Sequence, residues 1–528
     1  MTGRLAQAPA CFERDARSAA KALVALALAL AAARPPALAA SCQEPPREAE
    51  ARDAPAAPQD PKPGRGASPR PDTDGSAAAA RVAGATPGAP TMGLDAAVRT
   101  ALAQGFALLD SKDAVSASRW NEKAAVADFL PSLTPTYARG EGRDVFGVDL
   151  SQRLPYTGGT LTAAGRYLTE PAADAPYPRT TDLRLLLTQP LLRGVGPNAA
   201  FFELRNARRA VVSRERGYEL QRQRTAVEVA AAFYAVIAQR QLLDVASQSL
   251  ERTEALRKSS EARLEVGLAS KLDVFRAELQ SAQAKDAMVR SGASLATALE
   301  RFRGLLALPP HDPVEPAAAL LQPPDDSFEA PQLLVERALA ARLELVEERD
   351  RVDDARRAAS LAKQNLLPQL DLNVGLTQLG FGSSFGTAWR AGDSQVNVFL
   401  SASYPLPQAS ARATSATAQL ELDSRVRAVR QREIEVEQEV RQALRDLDQI
   451  RQSVLLQQKA VDVAEQQRRL AELRYQRGLG SNFDVVDAES SLVTARSSLV
   501  QLLASYAVAR LELKRSTGTL DVETEFAP

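Results

Sequence analysis

Alternating apolar and polar residues mark two regions of the chain, and each region begins soon after a Leu-Pro pair. After Pro368 every second residue of 370–376 is apolar, and the alternation returns at 396–404. After Pro131 it runs through the following residues: Phe146, Val148, Leu150, Leu154, Leu161, Ala163, Gly165, Tyr167, Leu183, Leu185 and Leu187. A period of two predicts β-strands with one apolar face. Since proline disfavours helix at the residue before it, each Leu-Pro pair also ends the preceding helical sequence.

Helical spacing of apolar residues fills most of the chain from residue 94 onwards. It covers 94–129 and 332–366 before the strand regions, and about 199–266 and 410–477 after them. The last two stretches repeat apolar residues every seven positions: Val229, Val236, Leu243 and Leu250 in one, and Val440, Leu447, Val454 and Val461 in the other. This spacing predicts a coiled-coil seam. At 1.5 Å per residue each long helix would reach about 100 Å.

Both long helices end in nearly the same sequence motif, called a phrase below. Residues 263–274 read RLEVGLASKLDV, and residues 474–485 read RYQRGLGSNFDV. Glycine suits the end of a helix, and Ser-x-x-Asp is a variant capping box that opens the next helix, so each phrase predicts a tight helical hairpin. The constant offset between the phrases indicates an internal duplication. It gives a first repeat at 91–310, a connector at 311–330, a second repeat at 331–518 and a tail at 519–528.

The first repeat is the longer of the two. From Pro131 to Gly267 is 136 positions and from Pro368 to Gly478 is 110, so the first repeat holds 26 more. This is the length of about one strand hairpin or an enlarged loop, which leaves the number of strands open.

The strands need pairing partners, because an open sheet edge invites uncontrolled association. A closed barrel to which several copies lend strands would remove the edges. Val396 and Val398 would then face lipid. Gln395, Asn397 and Ser401 would face water in the lumen.

The N-terminus predicts export from the cytoplasm. Basic residues from Arg14 to Lys21 precede an apolar run at 22–33, which fits a signal peptide within residues 1–41. Two processing sites remain open: a small-x-small site at Ala37-Leu38-Ala39, and an imperfect lipobox that would make Cys42 a lipidation site. Residues 42–90 are rich in Pro, Ala and charge, and predict a disordered linker. Beyond the signal we expect no apolar stretch that approaches the roughly 20 residues of a spanning helix.

Composition argues against several classes of function. The 528 residues contain 65 Lys plus Arg and 65 Asp plus Glu, and the signs are interspersed, so no basic face for nucleic acid stands out. One histidine and two cysteines offer neither a Ser/His/Asp arrangement nor a metal-binding pair, and no Gly-rich phosphate loop follows a strand. We therefore expect no enzyme activity, no cofactor and no metal site.

The order of features resembles the TolC-like outer-membrane efflux family. Helix, Leu-Pro, strands, long helix, Gly-Leu-x-Ser-x-x-Asp-Val hairpin and return helix occur twice and cover nearly all of 94–517. The TQPLLRG segment at 188–194, where strand gives way to helix, is also typical of that family. The resemblance implies a mostly α fold with a membrane β-barrel: a homotrimer with a shared 12-stranded barrel and a periplasmic α-barrel tunnel.

The resemblance also implies a function and a place in the cell. The chain would be an outer-membrane channel subunit of a tripartite efflux or type I secretion system in a Gram-negative-type cell. Its partners would be outer-membrane lipid, a periplasmic adaptor and an inner-membrane transporter. Solutes would leave the cell through it.

In that family side chains just past the hairpin turns close the tunnel, and the matching residues here are Asp484 and Asp487, with Tyr475 and Asp273 on neighbouring helices. Asp484 and Asp487 lie three apart on one helical face, so a trimer would place six carboxylates around one axis and attract cations. Two other interpretations stay open. Asp273 and Asp484 follow a serine by three positions, where an acid caps a helix, and Asp487 would suit any solvated face.

Where the family often has a basic residue, this chain has Gly480. Lys271, Arg276 or Arg477 would have to supply the charge of the closing ion pair.

The hairpin tips Gly267-Leu268 and Gly478-Leu479 place an apolar residue beside glycine. This fits contact with the coiled-coil hairpin of an adaptor. The alternative is that each leucine packs under its own turn.

A competing class is a periplasmic coiled-coil adaptor or structural protein without a barrel. It would share the heptads and hairpins, but it would lack amphipathic strands at the same point of both repeats. An enzyme on a helical stalk is a third alternative, for which few residues remain.

Overall fold

A computed structural model describes residues 91–140, 143–170, 179–317, 329–390 and 392–526. The predicted signal peptide, the linker and Cys42 lie outside the described residues. The first repeat contains these elements: β1 (Thr91–Met92), α1 (Leu94–Gln104), α2 (Phe106–Ala127), β2 (Ser132–Gly140), β3 (Arg143–Arg153), β4 (Thr160–Thr169), β5 (Arg179–Pro190), α3 (Pro197–Ala200), α4 (Phe202–Glu265) and α5 (Lys271–Leu305).

The rest of the chain has the same plan with fewer strands. Its elements are β6 (Glu315–Pro316), α6 (Pro331–Ala341), α7 (Leu343–Gln364), β7 (Gln369–Gly382), α8 (Phe385–Arg390), β8 (Asp393–Ser403), α9 (Ala409–Gln476), α10 (Asn482–Ser516) and α11 (Val522–Glu525).

The duplication predicted from the sequence is visible in the helix lengths. An 11-residue helix and a 22-residue helix open each repeat, and a 35-residue return helix follows each long helix. The long helices α4 and α9 have 64 and 68 residues. The stretches 94–129 and 332–366 are each two helices rather than one, because the chain takes an extended conformation at Gly105 and at Arg342. Apolar periodicity alone does not signal such a break.

The described chain divides into two compact units, and each unit contains residues of both repeats. The sheet unit is Glu122–Asn206 with Arg357–Ala418. The helical unit is Ala207–Arg356 with the described residues before Glu122 and after Ala418.

The helical unit is held together by the predicted seams. Val229 and Val236 of α4 are fully buried, as are Val440 and Val454 of α9. The larger core around Val229 joins α4 to α1, α5, α10 and the C-terminal α11 through the following residues: Ala97, Val98, Phe233, Phe302, Leu511, Leu520, Val522 and Phe526. Burial of these side chains, worth about 1.5–3 kcal/mol each, keeps the long helices side by side.

Among the residues that the structure describes, two helices contain a stretch long and apolar enough to cross a bilayer by length and composition alone: α4 and α10. The expectation that no such stretch follows the signal was therefore wrong. Alanine explains the difference, because it raises mean hydropathy without forming a conspicuous run of large apolar residues. Half of the α4 stretch and 28% of the α10 stretch are buried inside the protein, and core helices pass the same test.

The sheet unit contains one antiparallel sheet with the strand order β2-β3-β4-β5-β7-β8. The alternating segments predicted from the sequence are all strands of this sheet. The extra length of the first repeat is a strand hairpin, since four strands come from the first repeat and two from the second. The sequence did not identify β2, where Pro135 interrupts the pattern.

The pairing register gives the sheet one apolar face across all six strands. Directly opposed residues share a face, and the apolar set runs continuously: Leu133, Tyr137, Phe146, Val148, Leu150, Leu161, Ala163, Leu185, Leu187, Val374, Leu376, Val396, Val398 and Leu400. The opposite face carries mostly small or polar residues: Thr134, Thr136, Asp149, Ser151, Thr162, Arg184, Thr188, Asn373, Thr377, Gln395, Asn397 and Ser401. The predicted division of Val396 and Val398 from Gln395, Asn397 and Ser401 holds.

The sheet is open within the described chain, because β2 pairs only with β3 and β8 only with β7. A trimer with twelve strands would take four from each copy, whereas this sheet has six. The sheet of a single chain therefore does not show the twelve-stranded trimeric barrel that the resemblance implied.

Candidate functional site

Each long helix ends in a glycine-based turn that the sequence predicted. Gly267 and Gly478 have φ angles of 74° and 73°, a left-handed conformation that favours glycine. The N–H of Leu268 donates to the Arg263 carbonyl at 2.7 Å, and the N–H of Leu479 donates to the Arg474 carbonyl at 2.8 Å. These six-to-one bonds are those of a Schellman motif, which satisfies helix-end carbonyls and reverses the chain.

Each return helix begins with a capping box. Ser270 Oγ accepts from the Asp273 N–H at 3.2 Å, and Asp273 Oδ2 accepts from the Ser270 N–H at 3.1 Å. Ser481 and Asp484 repeat the arrangement at 3.2 and 2.9 Å. Asp273 and Asp484 are thus helix caps. Hydrogen bonds from Ser270 lower the pKa of the Asp273 carboxyl below its ordinary value.

Asp487 lies one turn beyond Asp484 on the same side of α10. Both side chains are exposed in the single chain. Within the described residues Asp487 forms no hydrogen bond or ion pair, so capping does not account for it. Neither carboxylate has a salt-bridge partner among the described residues, and together they form an acidic strip at the start of the helix.

The third predicted site residue, Tyr475, has a different environment. Its side chain is buried in a cluster with Ala471, Val485 and Ala488. Its hydroxyl lies 3.1 Å from Ser260 Oγ on α4, so it joins the second hairpin to the first. The guanidinium of Arg263 stacks over the Tyr475 ring, 4.3 Å from the ring centroid, in cation–π geometry.

Asn482 completes this junction between the hairpins. Its side chain is only 2% exposed. Asn482 Nδ2 donates to Ser260 Oγ at 3.0 Å and to the Asp273 carbonyl at 2.8 Å. Arg263 Nη2 adds a bond to the Gln476 carbonyl at 3.1 Å. The structure thus brings Tyr475 and Asp273 into one hydrogen-bonded junction.

An ion pair supports the junction farther along the helices. Arg252 Nε of α4 donates to both carboxylate oxygens of Glu489 at 3.0 Å. Glu489 is 4% exposed. Beside the pair lies a cavity of about 260 Å³, lined by both residues and by Thr253, Leu256, Glu472 and Tyr475.

Sequence reasoning missed Ser260, Arg263 and Asn482. The available signal was a difference between otherwise matching repeats. Asn482 of the second hairpin aligns with Lys271 of the first, and Tyr475 aligns with Leu264. Such differences mark positions at which the two hairpins make different contacts.

No basic residue completes an ion pair with the acidic strip in the described part of the chain. Arg276 lies 5.8 Å from the Phe483 ring centroid instead, and Lys271 and Arg477 form no salt bridge there. A side chain at position 480 would meet Arg474 Cβ at 3.1 Å, so glycine suits this close approach.

The hairpin tips are apolar and exposed. Leu268 and Leu479 are 76% and 77% exposed, so neither leucine is covered by its own turn. Val266 is exposed beside the first glycine. Among the described residues no group of three or more His, Cys, Asp or Glu could hold a metal ion.

Part of the chain is similar to a family of known proteins. Residues 334–519 match the family described as outer membrane efflux protein. No curated protein sequence matches the chain.

Solved channel structures share the fold over most of the chain. The outer-membrane protein VceC of Vibrio cholerae has a TM-score of 0.63 at 16% identity, over 80% of this chain and 96% of that one. The channel CmeC of Campylobacter jejuni has a TM-score of 0.62 at 13% identity, over 82% and 88%. The channel MtrE of Neisseria gonorrhoeae, solved in an open state, has a TM-score of 0.60 at 16% identity, over 81% and 91%. At these identities the likeness establishes the fold.

Proposed function

We propose, from the match of residues 334–519 to the outer membrane efflux protein family, that the chain is the outer-membrane channel of a tripartite efflux or type I secretion system. Three copies close one barrel in the outer membrane, and their long helices form the periplasmic conduit. The observation that carries this proposal is the six-stranded sheet with one continuous apolar face and one polar face. A membrane barrel needs that division.

Aromatic residues at both ends of the sheet support its place in a bilayer. The loop end of the sheet is the end at which β2 turns into β3. There the ring centroids of Tyr137 and Phe146 lie 4.8 Å apart, and those of Tyr167 and Phe385 of α8 lie 5.4 Å apart. At the opposite end of the sheet, the ring centroid of Phe201 lies 5.3 Å from that of Phe129 and 5.0 Å from that of Tyr156. Two aromatic girdles that flank an apolar band are typical of proteins embedded in a membrane.

Exposed apolar residues on α9 support assembly of several copies. The large ones are Leu420, Val426, Ile434, Leu455, Leu456, Val463, Leu470 and Leu473. A monomer would leave this row in water, whereas neighbouring copies in a helical wall would cover it. The heptad residues already pack against other helices of the same copy. The exposed row is therefore a separate apolar surface, available to a neighbouring copy.

The gate of the conduit is the acidic strip of Asp484 and Asp487. In a trimer three strips meet around one axis, so six carboxylates attract cations and repel anions there. The junction of Tyr475, Ser260 and Asn482 holds the second hairpin against the first and keeps the gate closed. Opening separates these hairpins, in keeping with an open state of MtrE.

The exposed tip leucines are the contact surface for a periplasmic adaptor, and an inner-membrane transporter delivers the solute. Leu268 and Leu479 each lie next to a glycine in a rigid turn. Such small apolar knobs fit the groove of a coiled-coil hairpin.

Membrane fractionation with semi-native electrophoresis tests the proposal. We expect the protein in the outer membrane, with gel migration that changes on heating because a folded barrel resists detergent. Leu268→Asp with Leu479→Asp should keep that behaviour but lose capture of the adaptor. A protein recovered from the periplasm without heat-modifiable migration would instead be an adaptor or a structural coiled coil.

A further inference from the structure

Six strands form one sheet, and both outer strands of that sheet lack a partner in the described chain. All nine residues of β2 are exposed, and so are all but one of the eleven residues of β8. Apolar side chains reach both edges, with Leu133 and Tyr137 on β2 and Val398 and Leu400 on β8. Long, open, apolar edges of this kind require a strand partner, above all in lipid.

The two edges are complementary to each other. Every neighbouring pair in the sheet is antiparallel, so the even number of strands makes β2 and β8 run in opposite directions. β8 of one copy can therefore pair antiparallel with β2 of the next copy, and the alternation continues around a ring. Arg139 and Asp393 lie at the same loop end of these strands, which adds opposite charges there.

The alternation of side chains fixes which registers are possible. The apolar residues of β2 have odd numbers, and those of β8 have even numbers. Only a register that opposes an odd-numbered β2 residue to an even-numbered β8 residue keeps all apolar side chains on one face, because a slip by one residue reverses the faces. Thr136 then lies opposite an odd-numbered β8 residue such as Gln395, Asn397 or Phe399. Pro135 leaves one position of this ladder without a donor.

We propose that each copy gives all six strands to the shared barrel, so that three copies close eighteen strands rather than twelve. This inference rests on the proposed trimeric channel. At about 4.8 Å between strands and a tilt of about 40°, the barrel radius is about 18 Å, against about 12 Å for twelve strands. The outer-membrane portion of the conduit is accordingly half as wide again and admits larger solutes.

A barrel of twelve strands would require one hairpin of each copy to leave the sheet. The ladder offers no place for this separation. Pairs continue without a gap from Asp144–Thr169 to Arg153–Thr160 between β3 and β4, and as completely between β4 and β5. The apolar face of β3 and β4 also continues that of the other strands.

Strand counting in a high-resolution cryo-electron microscopy map of the full-length protein in lipid nanodiscs tests the proposal. Eighteen strands in a trimer support it. A trimeric barrel of twelve strands would overturn the inference and leave the channel function intact. Absence of any trimeric barrel would overturn both.

Disulfide trapping tests the edge pairing independently. Thr136→Cys combined in turn with Gln395→Cys, Asn397→Cys and Phe399→Cys should give oxidant-dependent linked oligomers for at least one pair. Thr136→Cys with Val398→Cys, on the opposite face, should give at most a tenth of that yield, and each single variant controls for the native cysteines. If none of the three pairs links copies, β2 and β8 are not neighbours and the proposal is wrong.

Discussion

Ser260 and Tyr475 belong to different repeats, and their hydroxyl oxygens lie 3.1 Å apart behind the two hairpin turns. Asn482 donates to the same Ser260 oxygen, so one small side chain of the first repeat serves two residues of the second. Buried polar groups that satisfy one another stabilise one arrangement over others. This junction therefore fixes the relative position of the hairpins that would carry a gate.

Removing the junction should favour the open gate. We expect Tyr475→Phe or Ser260→Ala to raise the resting conductance of purified trimers in planar bilayers several-fold, since a buried hydrogen bond is worth about 1 kcal/mol. The double variant should raise the resting conductance by less than the two single effects combined, because both changes remove the same hydrogen bond. Tyr218→Phe, at a partly buried tyrosine of α4, the helix that also carries Ser260, is the matched control. Conductance equal to that of the control would show that the junction does not restrain the gate.

Loss of the acidic strip should change ion selectivity at the gate. We expect Asp484→Ala with Asp487→Ala to raise resting conductance and weaken block by multivalent cations, since six carboxylates would leave the proposed ring. Asp487→Asn separates this effect from capping, because only Asp484 caps α10. Glu278→Gln removes an exposed carboxylate from α5 and is the control. Unaltered conductance and block in the double variant would exclude these carboxylates from the gate.

The first hairpin should lose local stability in acid. The Asp273 pKa is lowered by its bonds with Ser270, so its capping contribution is present above the ordinary carboxyl pKa. That contribution disappears as the pH falls from about 4 through the lowered pKa that Asp273 has in the folded protein. Hydrogen exchange at residues 270–274 should therefore show protection, corrected for intrinsic exchange, that declines only below about pH 4. Asp273→Asn should abolish this dependence. If the Asp273→Asn variant showed the same loss of protection in acid, another titrating group would be responsible for that loss.

Local rules predicted the parts of the molecule that depend on nearby residues. The buried valines of the heptads, both glycine turns and both capping boxes follow from spacing and from residue type. Contacts between distant residues could not be predicted in this way: Ser260 and Asn482 are 222 positions apart. β2 was missed because Pro135 breaks a strand pattern, although an outer strand tolerates proline. The break at Arg342 lacks the glycine that marks its counterpart at Gly105.

That break makes Arg342 a strong test of stability in the helical unit. Arg342 is 4% exposed, pairs with Glu344 at 3.0 Å, and also bonds Glu439 of α9. Arg342→Gln removes the closest cation of Glu344 and Glu439, which among the described residues keep only Arg432, at 3.9 and 3.1 Å. Because that partner remains, the cost should lie at or below the lower end of the roughly 3–5 kcal/mol for breaking a buried ion pair. We expect a clearly lower melting temperature by circular dichroism at 222 nm, with assembly otherwise unchanged. Arg349→Gln breaks the exposed pair with Glu433, whose partners are 51% and 41% exposed, and should cost at most about 1 kcal/mol. Equal melting temperatures for the two variants would mean that the α6–α7 corner does not depend on this buried network.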